Sequence, residues 1–229
     1  MLPRGFANSI NSPVHTFASC SPFSDASIYN PPMTQPEPAL RGQILAIAQR
    51  KFIASGYHGL AMREIAEAVG VSKAALYYHF KDKEELFLAI LLPYLEAMET
   101  ELDRIAALSI PSAERIREFV SYVLEQLADE RAIIRLGSQE MGQLSTASRK
   151  AFGKVYQEKF IGKVKALVRA GMDSGEFKAE NPEIVAWALL GMMYPYFYPT
   201  HTGNKPLPAE TIEAITSIFL NGIANTTNR

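Results

Sequence analysis

The side chains with the most chemistry to offer stand close together. From Ser72 to Lys83 the stretch SKAALYYHFKDK holds a hydroxyl, three ammonium groups, two phenols and an imidazole. All of these donate hydrogen bonds, which suits recognition of anionic oxygens better than covalent catalysis. The rest of the chain offers little to an enzyme. The histidines at 15, 58, 79 and 201 have no metal-ligand spacing. There is no G-x-S-x-G, no P-loop and no dinucleotide fingerprint. No metal, no cofactor and no catalytic residue is expected.

The elements that must hold this stretch read as helices, and the expected fold class is all-α. No run of strict apolar alternation suggests a strand. Leu40, Ile44, Ala48 and Phe52 repeat every four residues and mark one face of a first helix, which Gly56 stops. Met62, Ile65, Ala66 and Val69 mark a short second helix. Gly70 turns the chain, and Ser72 caps a third helix whose Leu76 and Phe80 point inward. Asp82 and Glu85 suggest a capping box for a fourth. Two short helices joined by a glycine turn, with another bracing them, follow the plan of a helix-turn-helix, whose second helix enters the DNA major groove. Lys73, Ala74, Ala75, Tyr77 and Tyr78 then face outward or sideways. Alanines let the helix sit deep and touch a thymine methyl. Lysines and phenols reach phosphate oxygens. Spacing alone leaves a plain surface helix open as an alternative. From Glu37 to Leu92 seven Lys/Arg oppose six Asp/Glu, a weak excess for a DNA-binding module.

Residues 41–87 resemble the DNA-binding domain of TetR/AcrR-family transcriptional regulators. Phe52, Gly56, Tyr57, Ile65, Ala66, Gly70, Val71, Ser72, Leu76, Tyr77, His79, Phe80, Lys83, Glu84 and Leu86 carry the resemblance in order and spacing. It implies base contacts from Lys73, Ala74 and Ala75, and phosphate contacts from Tyr77, Tyr78, His79 and Lys83. Ser72 adds backbone N–H groups at the capped helix start. The family's Thr or Ser before the second helix is replaced here by Leu60 and Ala61, a missing cap that costs about 1 kcal/mol. Arg63 is the candidate substitute phosphate contact.

Composition bounds the remainder. The chain has 229 residues, is 48% hydrophobic and 21% charged, and carries a net charge of −1. Any nucleic-acid partner must therefore be met by a local patch. Residues 1–36, rich in Pro, Ser and Asn, read as a disordered tail with no signal-peptide core, and Met33 is a candidate true start. The one cysteine, Cys20, lies there, and its solitude fits a reducing cytoplasm. Residues 37–84 form the expected three-helix, homeodomain-like DNA-binding domain. Residues 85–229 form the expected helical ligand-binding and dimerisation domain.

In that second part Pro93 should kink or weaken a long helix from residue 83 to about 107. A further long helix from about Ser145 carries Phe152, Tyr156, Phe160, Val164 and Leu167 in register. Asn181-Pro182-Glu183 restarts the chain as a helix. The apolar run from Ile184 to Pro199 is too short and too proline-broken for a membrane span, so no membrane partner is expected. One small reader discriminates weakly, so a homodimer on a pseudo-palindromic duplex is expected. By resemblance the last two helices form its interface, through Ile184, Trp187, Leu190, Ile212, Ile215, Phe219 and Ile223. The candidate effector cage is lined by Phe119, Tyr122, Met141, Tyr156, Trp187, Met193 and Tyr194, which suits a mostly apolar or aromatic small molecule. Each of them fits plain core packing as well. Arg135, Glu140 and His201 are candidates for a polar contact. The expected function is a cytoplasmic, ligand-responsive DNA-binding regulator, a repressor by family habit. The alternative is a helical homodimeric adaptor that binds no DNA.

Overall fold

The computed structural model describes residues 38–198 and 205–224. The tail with Met33 and Cys20, and His201, lie outside the described residues. What is described is helical: α1 (Pro38–Ser55), α2 (Met62–Val69), α3 (Lys73–His79), α4 (Lys83–Ala106), α5 (Ser112–Leu124), α6 (Ala128–Glu140), α7 (Thr146–Tyr156), α8 (Gly162–Asp173), α9 (Pro182–Met193) and α10 (Ala209–Ile223). Short 3₁₀ turns follow α6 and α9.

Two apolar cores organise these helices. In the first, Ile44, Ala48 and Phe52 of α1 meet Ile65 of α2, Leu76 of α3, Phe80, and Leu86 and Phe87 of α4. The four-residue repeat of α1 therefore faces inward as its spacing predicts. In the second, Leu95, Met98, Leu102 and Ile105 of the same α4 pack with α5, α8, α9 and α10. Helix α4 runs unbroken through Pro93, whose ring is exposed, although proline cannot donate the usual bond to the carbonyl four residues back. α4 thus ties both cores into one lever. Helix α6 is a second tie, because Ile133, Leu136 and the following Leu144 belong to the first core.

Local details depart from the sequence reading in two places. Asp82 Oδ1 accepts from Glu85 N–H at 2.7 Å, but Glu85 reaches back to the Lys81 N–H rather than that of Asp82. The long helix expected from Ser145 contains a π turn, Gln157–Ile161, between α7 and α8. Such an insertion adds a residue to one turn and re-aims the side chains on either side. Asn181 caps α9 by accepting from the Glu183 N–H at 2.9 Å, with Pro182 at the first helical position.

Two polar side chains, the buried Arg131 and the half-buried Glu176, fasten the helices of the second core. Arg131 donates to the carbonyls of Leu124, Gln126 and Lys205, pinning the α5–α6 turn to the segment before α10. Glu176 accepts from the N–H groups of Ser112 and Ala113 at 3.0 and 3.2 Å, so α5 is capped by a residue far away in sequence.

Candidate functional site

Helix α3 is aimed by three local devices. Gly70 adopts φ 81°, and its N–H bonds the Ala66 carbonyl at 3.0 Å, closing α2 in a left-handed turn that glycine enters at least cost. Ser72 Oγ accepts from Ala75 N–H at 3.1 Å and starts α3. Leu76 and Phe80 are fully buried and clamp α3 against the first core. Helical geometry then puts Lys73, Ala74, Tyr77 and Tyr78 outside.

Tyr77 and Tyr78 are 40% and 52% exposed, high for phenols on an ordinary surface. Lys73 and Ala74 are exposed, and Ala75 is half-buried. The Lys73 ammonium stands 5.6 Å from the Tyr77 ring centre, a cation–π pair one helical turn apart. The Ser72 oxygen accepts its cap bond but keeps its own proton, available to an anionic oxygen. Arg63 is exposed on α2 and pairs with Glu67 at 3.2 Å. Ala61 has no side-chain acceptor, yet Glu64 reaches back to its N–H at 2.7 Å. Half of the capping arrangement thus survives the loss of the hydroxyl.

Two expected contacts are placed differently. Lys83 is half-buried and turned inward. Its Nζ donates to the Tyr57 and Leu60 carbonyls at 2.7 and 3.0 Å and lies 4.3 Å from the Tyr57 ring centre. Burial pulls its pKa down and Glu140 partly restores it. Lys83 fastens the α1–α2 loop to α4, leaving one N–H for anything outside. His79 is half-buried, and its Nδ1 is buried without a partner. Sequence reasoning missed Arg41, whose guanidinium stands 5.0 Å from the Phe80 ring centre. No local spacing links residues so distant in the chain.

The second site is a cavity of about 540 Å³ between α4, α5, α6, α7 and α9. Six of the seven candidate cage residues line it: Phe119, Met141, Tyr156, Trp187, Met193 and Tyr194. Tyr122 does not. Phe119 and Val123 are the α5 residues facing the cavity, and Tyr122 lies about 100° around the helix from Val123. Its phenol is pushed up by burial, then by Glu101 and Glu130. Arg135 stands 5.4 Å from the Tyr198 ring centre, and Glu140 lies beside Gly56 and Lys83, so neither lines the cavity. Arg149 on α7 does, and sequence reasoning passed over it.

The expected dimer residues divide. Ile212, Ile215 and Phe219 of α10 are buried in the chain's own second core, because α10 lies against α5 and α9. Leu190 and Ile223 are half-buried against that core. The large apolar side chains left outside on α9 and α10 are Ile184 at 67%, Trp187 at 45% and Ile218 at 67% exposure.

Among the described residues no group of three or more His, Cys, Asp or Glu is placed to hold a metal ion. No helix among them is long and apolar enough to cross a membrane.

Comparison with known proteins agrees with this geometry. The family model for bacterial regulatory proteins of the tetR family matches residues 44–90, and that for the tetracyclin repressor-like C-terminal domain matches residues 109–197. Together they span more than half of the chain. The chain belongs to the TetR family.

Its relatives are helix-turn-helix transcriptional regulators. This TetR-family chain is 25% identical over 177 residues to the HTH-type transcriptional regulator YhgD of Bacillus subtilis (strain 168), covering 77% of this chain and 92% of that protein. The crystal structure of PfmR from Thermus thermophilus superposes with a TM-score of 0.67 at 25% identity, covering 78% of this chain and 97% of that one. AibR, solved in complex with isovaleryl coenzyme A and operator DNA, gives a TM-score of 0.63 at 25% identity, covering 81% and 98%. The protein is a TetR-family DNA-binding transcriptional regulator, all-α, with an N-terminal helix-turn-helix and a helical C-terminal part.

Proposed function

We propose that this regulator is a cytoplasmic homodimeric repressor that leaves its operator when a small, mostly apolar or aromatic effector enters the cavity. Residues 37–84 act as the reading domain and 85–229 as the sensing and pairing domain. The observation that carries the reading is the outward set on α3: Lys73, Ala74, Tyr77 and Tyr78 stand exposed on a helix whose inner face is locked by Leu76 and Phe80. Lys73, Ala74 and Ala75 meet base edges. Ser72, Tyr77, Tyr78, His79, Arg63 and the remaining N–H of Lys83 meet phosphates.

Pairing is supported by Ile184, Trp187 and Ile218, apolar side chains left in water on the last two helices. The cavity supports sensing, since nearly all its lining is apolar and its volume lies in the usual range for small-molecule sites. That AibR is solved with isovaleryl coenzyme A and operator DNA supports sensing and DNA reading in one chain. Because α4 and α6 belong to the reading core and also line the cavity, an effector that prefers one arrangement of these helices biases the reading helices with it. DNA must then change effector affinity by the same factor.

Selection of bound fragments from genomic DNA, followed by titration at several salt concentrations, tests the reading. Retention of a pseudo-palindromic site with a steep salt dependence is expected. Failure to retain any duplex, with the chain still dimeric, would favour the adaptor role instead.

A further inference from the structure

We propose that the effector carries an anionic group, and that Arg149 holds it at the edge of the cavity while an apolar body lies inside against Leu95, Met98, Phe119 and Phe160. The inference rests on the cavity being the effector site and adds the charge of its occupant.

The donors and acceptors around the cavity divide unequally between its walls. On the α6 and α9 side the polar groups satisfy one another. Gln139 Nε2 donates to the Tyr198 hydroxyl at 2.9 Å, which donates to the Tyr194 hydroxyl at 3.1 Å. Ser138 Oγ donates to the Arg135 carbonyl at 2.8 Å, so the proton shared at 3.1 Å between Tyr194 and Ser138 belongs to Tyr194. The Tyr94 hydroxyl donates to Gln126 Oε1 at 3.0 Å. Every hydroxyl proton in these bonds is used, and the Trp187 indole N–H is the other side-chain donor of the lining there.

Helix α7 is different. Arg149 is the one charged residue of the lining, and no Asp or Glu shares the cavity with it. It forms no ion pair among the described residues. The Tyr156 hydroxyl likewise has no protein partner among them. Its ring lies between Phe152, stacked at 6.3 Å, and Phe160, tilted by 45° at 5.4 Å, just before the π turn. Burial lifts this phenol to about 12, so it stays a neutral donor at physiological pH. Arg149 and Tyr156 are seven residues apart, hence on one face and about 10 Å apart along the axis. Gly153 lies between them, and a Cβ there would meet nothing within 4 Å. The wall thus offers a flat strip bounded by a cation and a phenolic donor, both lacking acceptors. An apolar amphiphile with a negative end matches it. A cationic one meets repulsion from Arg149 with no carboxylate to offset it.

Trp187 lines the cavity and is the chain's only tryptophan, so its emission reports occupancy. Decanoate, decanol and decyltrimethylammonium, each below its micellar concentration, serve as probes of equal chain length. Decanoate is expected to bind about tenfold more tightly than decanol, as a charge-assisted bond allows, with the ammonium weakest. Arg149→Gln should erase the preference for decanoate and leave decanol unchanged, while Lys150→Gln keeps the preference. Equal binding of decanoate and decanol, or a preference that survives Arg149→Gln, overturns the anionic assignment and leaves the cavity as the effector site. If no probe shifts Trp187 emission, the cavity reading itself falls, and this inference with it.

Discussion

Gly171 in α8 sets two effects against each other. Helix propensity alone says that Gly171→Ala should stabilise the chain by about 1 kcal/mol. The packing says the opposite. A Cβ at Gly171 would lie 2.2 Å from Cδ2 and Cε2 of Phe177 and 2.9 Å from its Cγ. The ring cannot step aside easily: Phe177 is buried, and its N–H bonds the Gly171 carbonyl at 2.9 Å, folding the chain back on the helix end. Overpacking of this kind costs about 1–3 kcal/mol. Displacing the ring from the core forfeits a further share of the roughly 1.5–3 kcal/mol its burial supplies. Set against the propensity gain, the net loss is about 2–3 kcal/mol. That corresponds to a fall in Tm of roughly 4–12 °C for a chain of this size. Urea unfolding followed by circular dichroism measures it. Adding Phe177→Leu should recover part of the loss, giving a non-additive double mutant. A Gly171→Ala protein as stable as the parent would refute the packing argument and leave helix propensity in charge.

Other outcomes follow from the same structure. Lys73→Gln, which removes a base contact, should weaken operator binding by about 1–3 kcal/mol per half-site and relax specificity there; fluorescence anisotropy with the operator and its single-base variants reads it. Gly153→Leu projects into open space beside the cavity, so probe affinity should fall at least tenfold while operator affinity stays within about twofold. Ile184→Lys combined with Ile218→Lys charges the exposed apolar face and should yield monomers by analytical ultracentrifugation. For Glu176 burial pulls the pKa up, but bonds from the Ser112 and Ala113 N–H groups and the Ser112 and Ser174 hydroxyls together outweigh it, and the folded value lies below the ordinary 4.5. Its stabilisation is therefore complete above that ordinary value and lost as pH falls through the lowered one. Glu176→Gln should flatten that acid limb in pH-dependent melts.

Much of the reading head is written locally. The Gly70 turn, the Ser72 cap and the Leu76–Phe80 spacing each act within a few residues, so sequence suffices to place a short helix and say which side chains leave it. The cavity lining was legible as a composition: aromatic and Met side chains at helical spacing gather where α5, α6, α7 and α9 meet. Tyr122 shows the limit, since one helical step separates a cavity-facing residue from its neighbour, and periodicity cannot say which stripe faces which partner.

By itself the sequence determined the helices, their caps and stops, and the surplus of donors around α3, because those depend on contacts a few residues apart. Only the tertiary structure decided that Lys83 turns inward to the Tyr57 and Leu60 carbonyls, that Ile212, Ile215 and Phe219 belong to the chain's own core, and that Arg149 borders the cavity without an acid beside it. Those outcomes depend on which helix faces meet. That is set by burial summed over elements far apart in the chain, and no local pattern encodes it.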